Sequence, residues 1–359
     1  MSGAAPDQAA ALECRGVVVS YGDTRVLDEL DLTVGRGEAI ALLGPSGSGK
    51  TTLLYAVAGF VAPTAGSLRI AGEEVAGPGR HRPPERRRVG VVFQHYALWP
   101  HLTALETVAY PLRRRGVAPA DAERQARALL DRLAIAALAD RHPAELSGGQ
   151  QQRVGLARAL ACDAGLYLFD EPTAHLDTPL RAALQEEVAE RRQEAEAAAL
   201  YATHDAAEAL AVADRVALLR DGRLVQIGTP QQVYEQPVDL WAAELTGPAA
   251  VLQVDTVGRD DAARVRLGDV EVDVAVDGAT DGVTDGALRA LVRPEWTTLG
   301  GPLPGVVRRA WYRGAYTDYR VETAAGDVTV RLPGPPVARA GERVGWRLDR
   351  VWVLRSSVR

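Results

Sequence analysis

Up to about residue 246, short apolar runs bounded by turns alternate with longer amphipathic stretches. Ala39–Leu43 is wholly apolar, framed by the turn Gly35-Arg36-Gly37-Glu38 and a glycine-rich loop, and Gly165–Phe169 and Ala199–Thr203 are built alike. Uninterrupted apolar runs this short are the pattern of strands buried on both faces of a parallel sheet. Further strands are predicted at Leu12–Ser20, Asp28–Thr33, Val89–Phe93 and Val216–Leu219, with Ser67–Ile70 as an edge strand and Asp221-Gly222 as a hairpin turn. Helices are predicted over Thr51–Gly59, Pro179–Ala198 and Asp205–Ala213. The Ala-, Leu- and Arg-rich stretch from Thr103 to Leu160 reads as several more, broken at Pro111, Pro119 and Pro143. Strands alternating with helices predict an α/β core carrying a helical subdomain at about 103–160.

The pattern changes near Gly247-Pro248. Val270, Val272, Val274 and Val276 alternate with Glu271, Asp273, Ala275 and Asp277, the period of a sheet with one buried and one wet face. Short strands follow at Leu288–Val292, Gly305–Tyr312, Tyr319–Thr323, Asp327–Leu332, Arg343–Leu348 and Val351–Leu354, separated by Gly, Pro and Asp turns. Residues 247–359 therefore read as an all-β, OB-like accessory domain behind a main domain of residues 1–246. Trp296, Trp311, Trp346 and Trp352 are expected to fill the core of a small barrel there.

Composition narrows the functional class only a little. A formal net charge of -6 argues against broad electrostatic binding to nucleic acid or anionic lipid, so no nucleic-acid partner is expected. Cys14 and Cys162 lack metal-ligand spacing and are expected to be reduced structural thiols. The first residues do not read as a secretory signal, and no run of about 20 apolar residues could span a bilayer. Action at a membrane would require docking on other chains.

The chemistry is concentrated in three places. Gly44-Pro45-Ser46-Gly47-Ser48-Gly49-Lys50-Thr51, followed by Thr52, is a complete GxxxxGK[ST] P-loop between a predicted strand and helix. Its glycines let backbone amides converge on phosphate oxygens, and the positive end of the helix adds its field. Lys50 is expected to bridge the β and γ phosphates of ATP, and Thr51 to coordinate Mg²⁺. Leu166-Tyr167-Leu168-Phe169 runs into Asp170-Glu171. Asp170 is placed to hold Mg²⁺ and Glu171 to polarise an attacking water, since phosphoryl transfer depends mainly on positioning and charge stabilisation. In Leu146-Ser147-Gly148-Gly149-Gln150, Ser147 can cap the next helix while the glycines expose amides, giving a second anion-binding surface.

With that pentapeptide the chain resembles the ATPase subunits of ABC transporters, whose signature is LSGGQ. The resemblance covers essentially the whole chain and implies a P-loop NTPase core with a TOBE domain at the C-terminus. It implies that Tyr21 stacks on adenine, that Gln94 contacts Mg²⁺ and the attacking water, and that His204 contacts the γ-phosphate. It further implies that Asp177 lies in the D-loop. The family's Ser-Ala-Leu-Asp is here Ala174-His175-Leu176-Asp177, which implies altered interface packing or pH sensitivity. A two-fold homodimer is implied, each ATP lying between one subunit's P-loop and the other's Ser147–Gln150.

Pro84–Leu102 and Gly228–Pro237 look like the corresponding stretches of importer ATPases for ferric iron and polyamines, and Val292-Arg293-Pro294-Glu295 is similar to a motif of their accessory domain. The resemblance implies a membrane permease partner, an indirect solute-binding protein partner and a place on the cytoplasmic face of the membrane. Ferric iron is the favoured cargo, with polyamine, sugar, molybdate or sulfate as alternatives. An exporter or a non-transport ABC ATPase is the more distant reading.

Overall fold

A computed structural model describes residues 10–172, 196–257, 264–267, 270–278 and 287–354. They fall into two compact units, one up to Pro230 and the other from Gln231. The predicted helix over Pro179–Ala198 lies outside the described residues except at its end, where Ala198 already belongs to a strand.

The first unit holds two sheets. Strands β1 (Leu12–Tyr21), β2 (Thr24–Val34), β4 (Ala65–Ile70), β5 (Glu73–Gly77) and β6 (Arg80–His81) form an antiparallel sheet in the order β2-β1-β4-β5-β6. The segment predicted as an edge strand is thus interior, because β5, too short and polar to signal itself, pairs along its outer side and β6 pairs beyond β5. The second sheet runs β11 (Arg223–Gly228), β10 (Arg215–Arg220), β3 (Ala39–Leu43), β9 (Ala198–Thr203), β8 (Leu166–Asp170) and β7 (Val89–Val92). Only β11 is antiparallel, following the Asp221-Gly222 hairpin turn.

Ile40 and Leu42 of β3, Leu53, Leu54 and Val57 of helix α1 (Lys50–Ala58), and Leu12, Val17 and Leu30 of the antiparallel sheet share one core cluster. Fully burying one such side chain contributes roughly 1.5–3 kcal/mol, so this layer fixes where the loop between β3 and α1 must lie.

The helical stretch contains α2 (Ala104–Arg114), α3 (Pro119–Arg132) and α4 (Gly148–Leu160). Thr103 and Glu106 make a capping box that starts α2. Pro119 opens α3 at its first turn, as expected. Pro111 does not break α2 as predicted. It sits within the last turns, where a single N–H is lost and burial of Leu105, Val108 and Leu112 holds the helix together. The first unit ends with α5 (Ala206–Val212), while α6 (Pro230–Glu235) and α7 (Leu240–Thr246) follow around the division between the units.

The second unit is β-rich. Strands β12 (Ala250–Val257), β13 (Arg264–Leu267), β14 (Val270–Asp273), β15 (Ala275–Gly278), β16 (Ala287–Val292) and β21 (Arg350–Val353) form one sheet, in the order β14-β13-β12-β16-β21-β15. Strands β17 (Thr297–Tyr312), β18 (Tyr316–Thr323), β19 (Gly326–Pro333) and β20 (Arg343–Leu348) form another, and both contribute to one core. The alternating valines do not make one strand. The chain changes partner at buried Val274, β14 pairing antiparallel with β13 and β15 parallel with β21. Of the four tryptophans, Trp346 and Trp296 are buried, whereas Trp311 and Trp352 are half-buried.

Residues 231–247 belong to this unit although the change in sequence character comes at Gly247-Pro248. The reason is Arg293, which is fully buried and donates to the carbonyls of Tyr234, Ala243, Gly247 and Pro248 and to Thr246 Oγ1, with its guanidinium 4.0 Å from the Tyr234 ring centroid. Arg293→Met should leave those acceptors without a donor. The expected loss is about 3 kcal/mol or more in the denaturant unfolding of this unit. An unchanged midpoint would mean that water replaces the guanidinium freely.

Candidate active site

The C-terminal ends of the parallel strands β3, β7, β8 and β9 gather the P-loop residues with Gln94, Asp170, Glu171 and His204, as open α/β sheets do. After β3 the chain turns through Gly44–Gly49 into α1. At Gly44 a Cβ would lie 2.3 Å from the Leu219 carbonyl oxygen. Gly49 has φ 103°, and a Cβ there would meet Leu27 at 2.8 Å. These glycines let the loop lie flat against β10 and β2. Pro45, Ser46 and Gly47 stay exposed, and the amides of Gly47, Gly49, Lys50 and Thr51 donate to no backbone carbonyl among the described residues. That leaves a cluster of donors at the start of α1, with Thr52 half-buried on the same turn.

Lys50 is 6% exposed and folds back so that Nζ donates to the carbonyls of Gly44 at 2.7 Å and Pro45 at 2.9 Å. Burial pulls its pKa down, against the opposing charges of Glu171 and Asp170. A desolvated ammonium whose hydrogen bonds among the described residues go to two backbone carbonyls is disposed to take an anion.

Asp170 ends β8 and is 1% exposed. One carboxylate oxygen accepts from Thr51 Oγ1 at 2.9 Å, and the other is buried with no partner among the described residues. Burial is the main force pushing its pKa up. The Thr51 bond opposes it, Glu171 adds to it, and Lys50 and His95 oppose it more weakly. An orphaned buried carboxylate oxygen beside a threonine hydroxyl suits a hard divalent cation, which takes oxygen ligands and leaves the remaining positions to water or phosphate.

Glu171 carries the sharpest backbone feature. Its φ is 48°, yet its N–H still donates to Ala202 O at 2.9 Å, so the strand register continues while the side chain is turned aside. A glutamate held there costs on the order of 1–3 kcal/mol, and such strain gathers at functional sites. The turn brings Oε1 within 3.0 Å of His204 Nδ1 and lets Oε2 accept from Gln94 Nε2 at 3.3 Å. His204 follows β9 directly. Behind it, Thr203 Oγ1 donates to buried Glu208 at 2.5 Å, while Asp205 caps α5.

Lys50, Thr51, Gln94, Asp170, Glu171 and His204 are therefore one constellation. Ser147–Gln150 stand apart from it, since no hydrogen bond among the described residues joins them to the P-loop or to Glu171. Ser147 caps α4 in a reciprocal pair with Gln150, and the start of that helix is exposed at Ser147 and Gly148. Tyr21 ends β1 and is 52% exposed. Ala174, His175, Leu176 and Asp177 lie outside the described residues. Cys14 and Cys162 are both free thiols, and burial pushes up the pKa of each. Thr203, Glu208, Gln152 and Arg158 support the site without being part of the sequence reading. Their signal was weak: Gln152 is one of the polar run Gln150–Arg153, and the others are single polar residues in otherwise ordinary strand or helix.

The arrangement can bind a phosphate chain at the P-loop and hold an attacking water against a carboxylate. A protein-family model described as ABC transporter matches residues 27–174, and one described as TOBE domain matches residues 290–354. The chain is 43% identical over 348 residues to a Fe(3+) ions import ATP-binding protein of Rhodococcus jostii, covering 94% of this chain and 96% of that one. It is 40% identical over 349 residues to a spermidine/putrescine import ATP-binding protein of Thermobifida fusca, covering 92% and 89%. Among solved structures it resembles the dimeric, post-hydrolysis state of the ATP-binding cassette MJ0796 bound to ADP and Pi. The TM-score is 0.57 at 30% identity, over 61% of this chain and 98% of the other.

Proposed function

This chain belongs to the ATP-binding subunits of ABC importers that carry a C-terminal TOBE domain, and from that premise we propose how it uses ATP and what it moves. It is an ATP-hydrolysing subunit that powers solute import. On our reading it works as a homodimer at the cytoplasmic face of the membrane, docked on permease subunits that receive their cargo from a solute-binding protein. On the same reading residues 1–246 serve nucleotide binding and 247–359 are the accessory part, although 231–246 pack within the second compact unit.

The observation that carries the reading is the convergence of Lys50 and Thr51 with Asp170, Glu171, Gln94 and His204. Gly44–Thr52 bind the phosphates of ATP, with Lys50 on the β and γ groups, and Tyr21 stacks on adenine. Mg²⁺, when bound, would be held by Thr51, Asp170 and Gln94 and would neutralise charge on the phosphates. Glu171 takes the proton of the attacking water, Gln94 orients that water and the carboxylate together, and His204 steadies Glu171 and the γ-phosphate. The second subunit's Ser147–Gln150 and Asp177 complete each site, so ATP closes the dimer and loss of phosphate reopens it.

A groove of about 1090 Å³ beside Gln94, lined by Phe60, Phe93, Trp99, Tyr110, Arg88 and Arg114, is the place we assign to the permease. Among the described residues no helix is long and apolar enough to cross a membrane. Ferric iron is the proposed cargo, after the relative from Rhodococcus jostii. The test is uptake of labelled ferric iron by cells carrying either the wild-type chain or only Glu171→Gln. Loss of iron uptake in the variant with polyamine uptake intact is the expected result. Unchanged iron uptake with polyamine uptake lost would transfer the cargo to that of the relative from Thermobifida fusca.

A further inference from the structure

Helix α4 begins at Ser147–Gln150, yet it grips both arms of this chain's own hydrolytic centre. On one arm, the amide of Gln152 donates to the carbonyl of Pro172, the residue after Glu171. Gln152 is 3% exposed, and its own oxygen finds no partner among the described residues, so the side chain is committed to that single contact. On the other arm, Arg158 is 7% exposed and donates to the carbonyls of Tyr96 and Ala97, just beyond Gln94. Its guanidinium lies 5.8 Å from the Phe93 ring centroid and 5.3 Å from that of Trp99, so it holds the loop from both flanks.

The acceptors are unusual backbone. Tyr96 and Ala97 have φ of 60° and 47°, conformations that persist only when the surroundings impose them. Tyr96 also lies along α4. A Cβ built at Gly155 would meet its carbonyl oxygen at 3.4 Å, and one at Gly148 would meet its hydroxyl at 3.7 Å. The loop after Gln94 is thus seated on the helix from its exposed first turn to Arg158. The two arms meet again where Gln94 donates to Glu171.

We propose that Gln152 and Arg158 are positioning residues through which α4 sets the geometry of Gln94 and Glu171. What binds at Ser147–Gln150 then tunes hydrolysis in the same chain's own P-loop site. This rests on the reading that Ser147–Gln150 meets the partner subunit's ATP. A helix bonded both to the strained loop after Gln94 and to the residue after Glu171 couples two sites when an anion at its first turn shifts it, and the coupling is as large as the difference between the two positions.

The test is steady-state ATPase activity of the full chain against ATP concentration, for wild type, Gln152→Met, Arg158→Lys and the double variant, with thermal melting of each. Met keeps the volume of Gln without its donor, and Lys keeps the charge of Arg without its fork. The expected result is kcat lower by about tenfold in each single variant, KM for ATP within about twofold, and a Hill coefficient moved toward one. The double variant should lose less than the product of the two single losses, because both act through one helix. Unchanged kcat and Hill coefficient in both single variants would overturn the proposal. So would kcat losses that merely track a lower melting temperature, which mark a structural role. A wild-type chain that hydrolyses ATP with no cooperativity would instead remove the two-subunit reading on which the proposal rests.

Discussion

Glu171→Gln is expected to lower ATP turnover by about 10²–10³-fold while leaving ATP binding intact, an increase in barrier of roughly 3–4 kcal/mol. The substitution is nearly isosteric, so the side chain keeps its place. Its oxygen can still accept from Gln94 and its new amide can face His204 Nδ1, the two neighbours that hold the carboxylate at 3.3 and 3.0 Å. What disappears is the negative charge and the capacity to take a proton from water. Loss of turnover should therefore appear almost wholly in kcat. ATP should also hold the variant in the closed dimer, because the step that reopens it no longer occurs. The measurements are kcat and KM together with light scattering in the presence and absence of ATP. Rapid hydrolysis by the variant would remove Glu171 from the base role and leave His204 as the nearest alternative.

Lys50→Ala is expected to weaken ATP binding by about a hundredfold, the size of a lost charge-assisted contact in a buried site. Two effects combine. The ammonium proposed to meet the phosphates goes, and so do its bonds to the carbonyls of Gly44 and Pro45. The free protein should not suffer in proportion. Lys50 has its pKa lowered chiefly by burial, so its charged form is held at a cost in the absence of an anion. The melting temperature without nucleotide should stay level or rise, and the upward shift that ATP gives the wild type should vanish. Titration calorimetry with ATP and a melting series would show both. Wild-type affinity in the variant would mean that the free amides of the loop and the helix field carry the binding alone.

Much of this was readable from residues alone because the chemistry sits in contiguous motifs. Gly44–Thr51 needs no distant partner to be recognised, since its glycines and lysine serve the loop's own conformation. The five residues of β3 and the five of β8 announce themselves as buried strands for the same local reason. Other features were hidden. β5 and β6 are short and polar, and only pairing, of β5 with β4 and of β6 with β5, makes them strands. Pro111 reads as a helix break in any local rule, yet tertiary packing carries α2 past it. The assignment of 231–247 to the second unit depends on Arg293, which lies far along the chain from the carbonyls it binds.

Local residue patterns were enough to name the class of chemistry: a phosphate loop, a carboxylate pair and a second anion-binding turn. Which of them come together is a property of the fold. Gln94, Glu171 and His204 come from three different strand ends, and the parallel register of β7, β8 and β9 brings them within hydrogen-bond reach. The left-handed turn at Glu171 and the grip of α4 on Pro172, Tyr96 and Ala97 are likewise invisible in sequence. The physical reason is that local patterns set what each segment can do, whereas register and long-range hydrogen bonds set which segments meet.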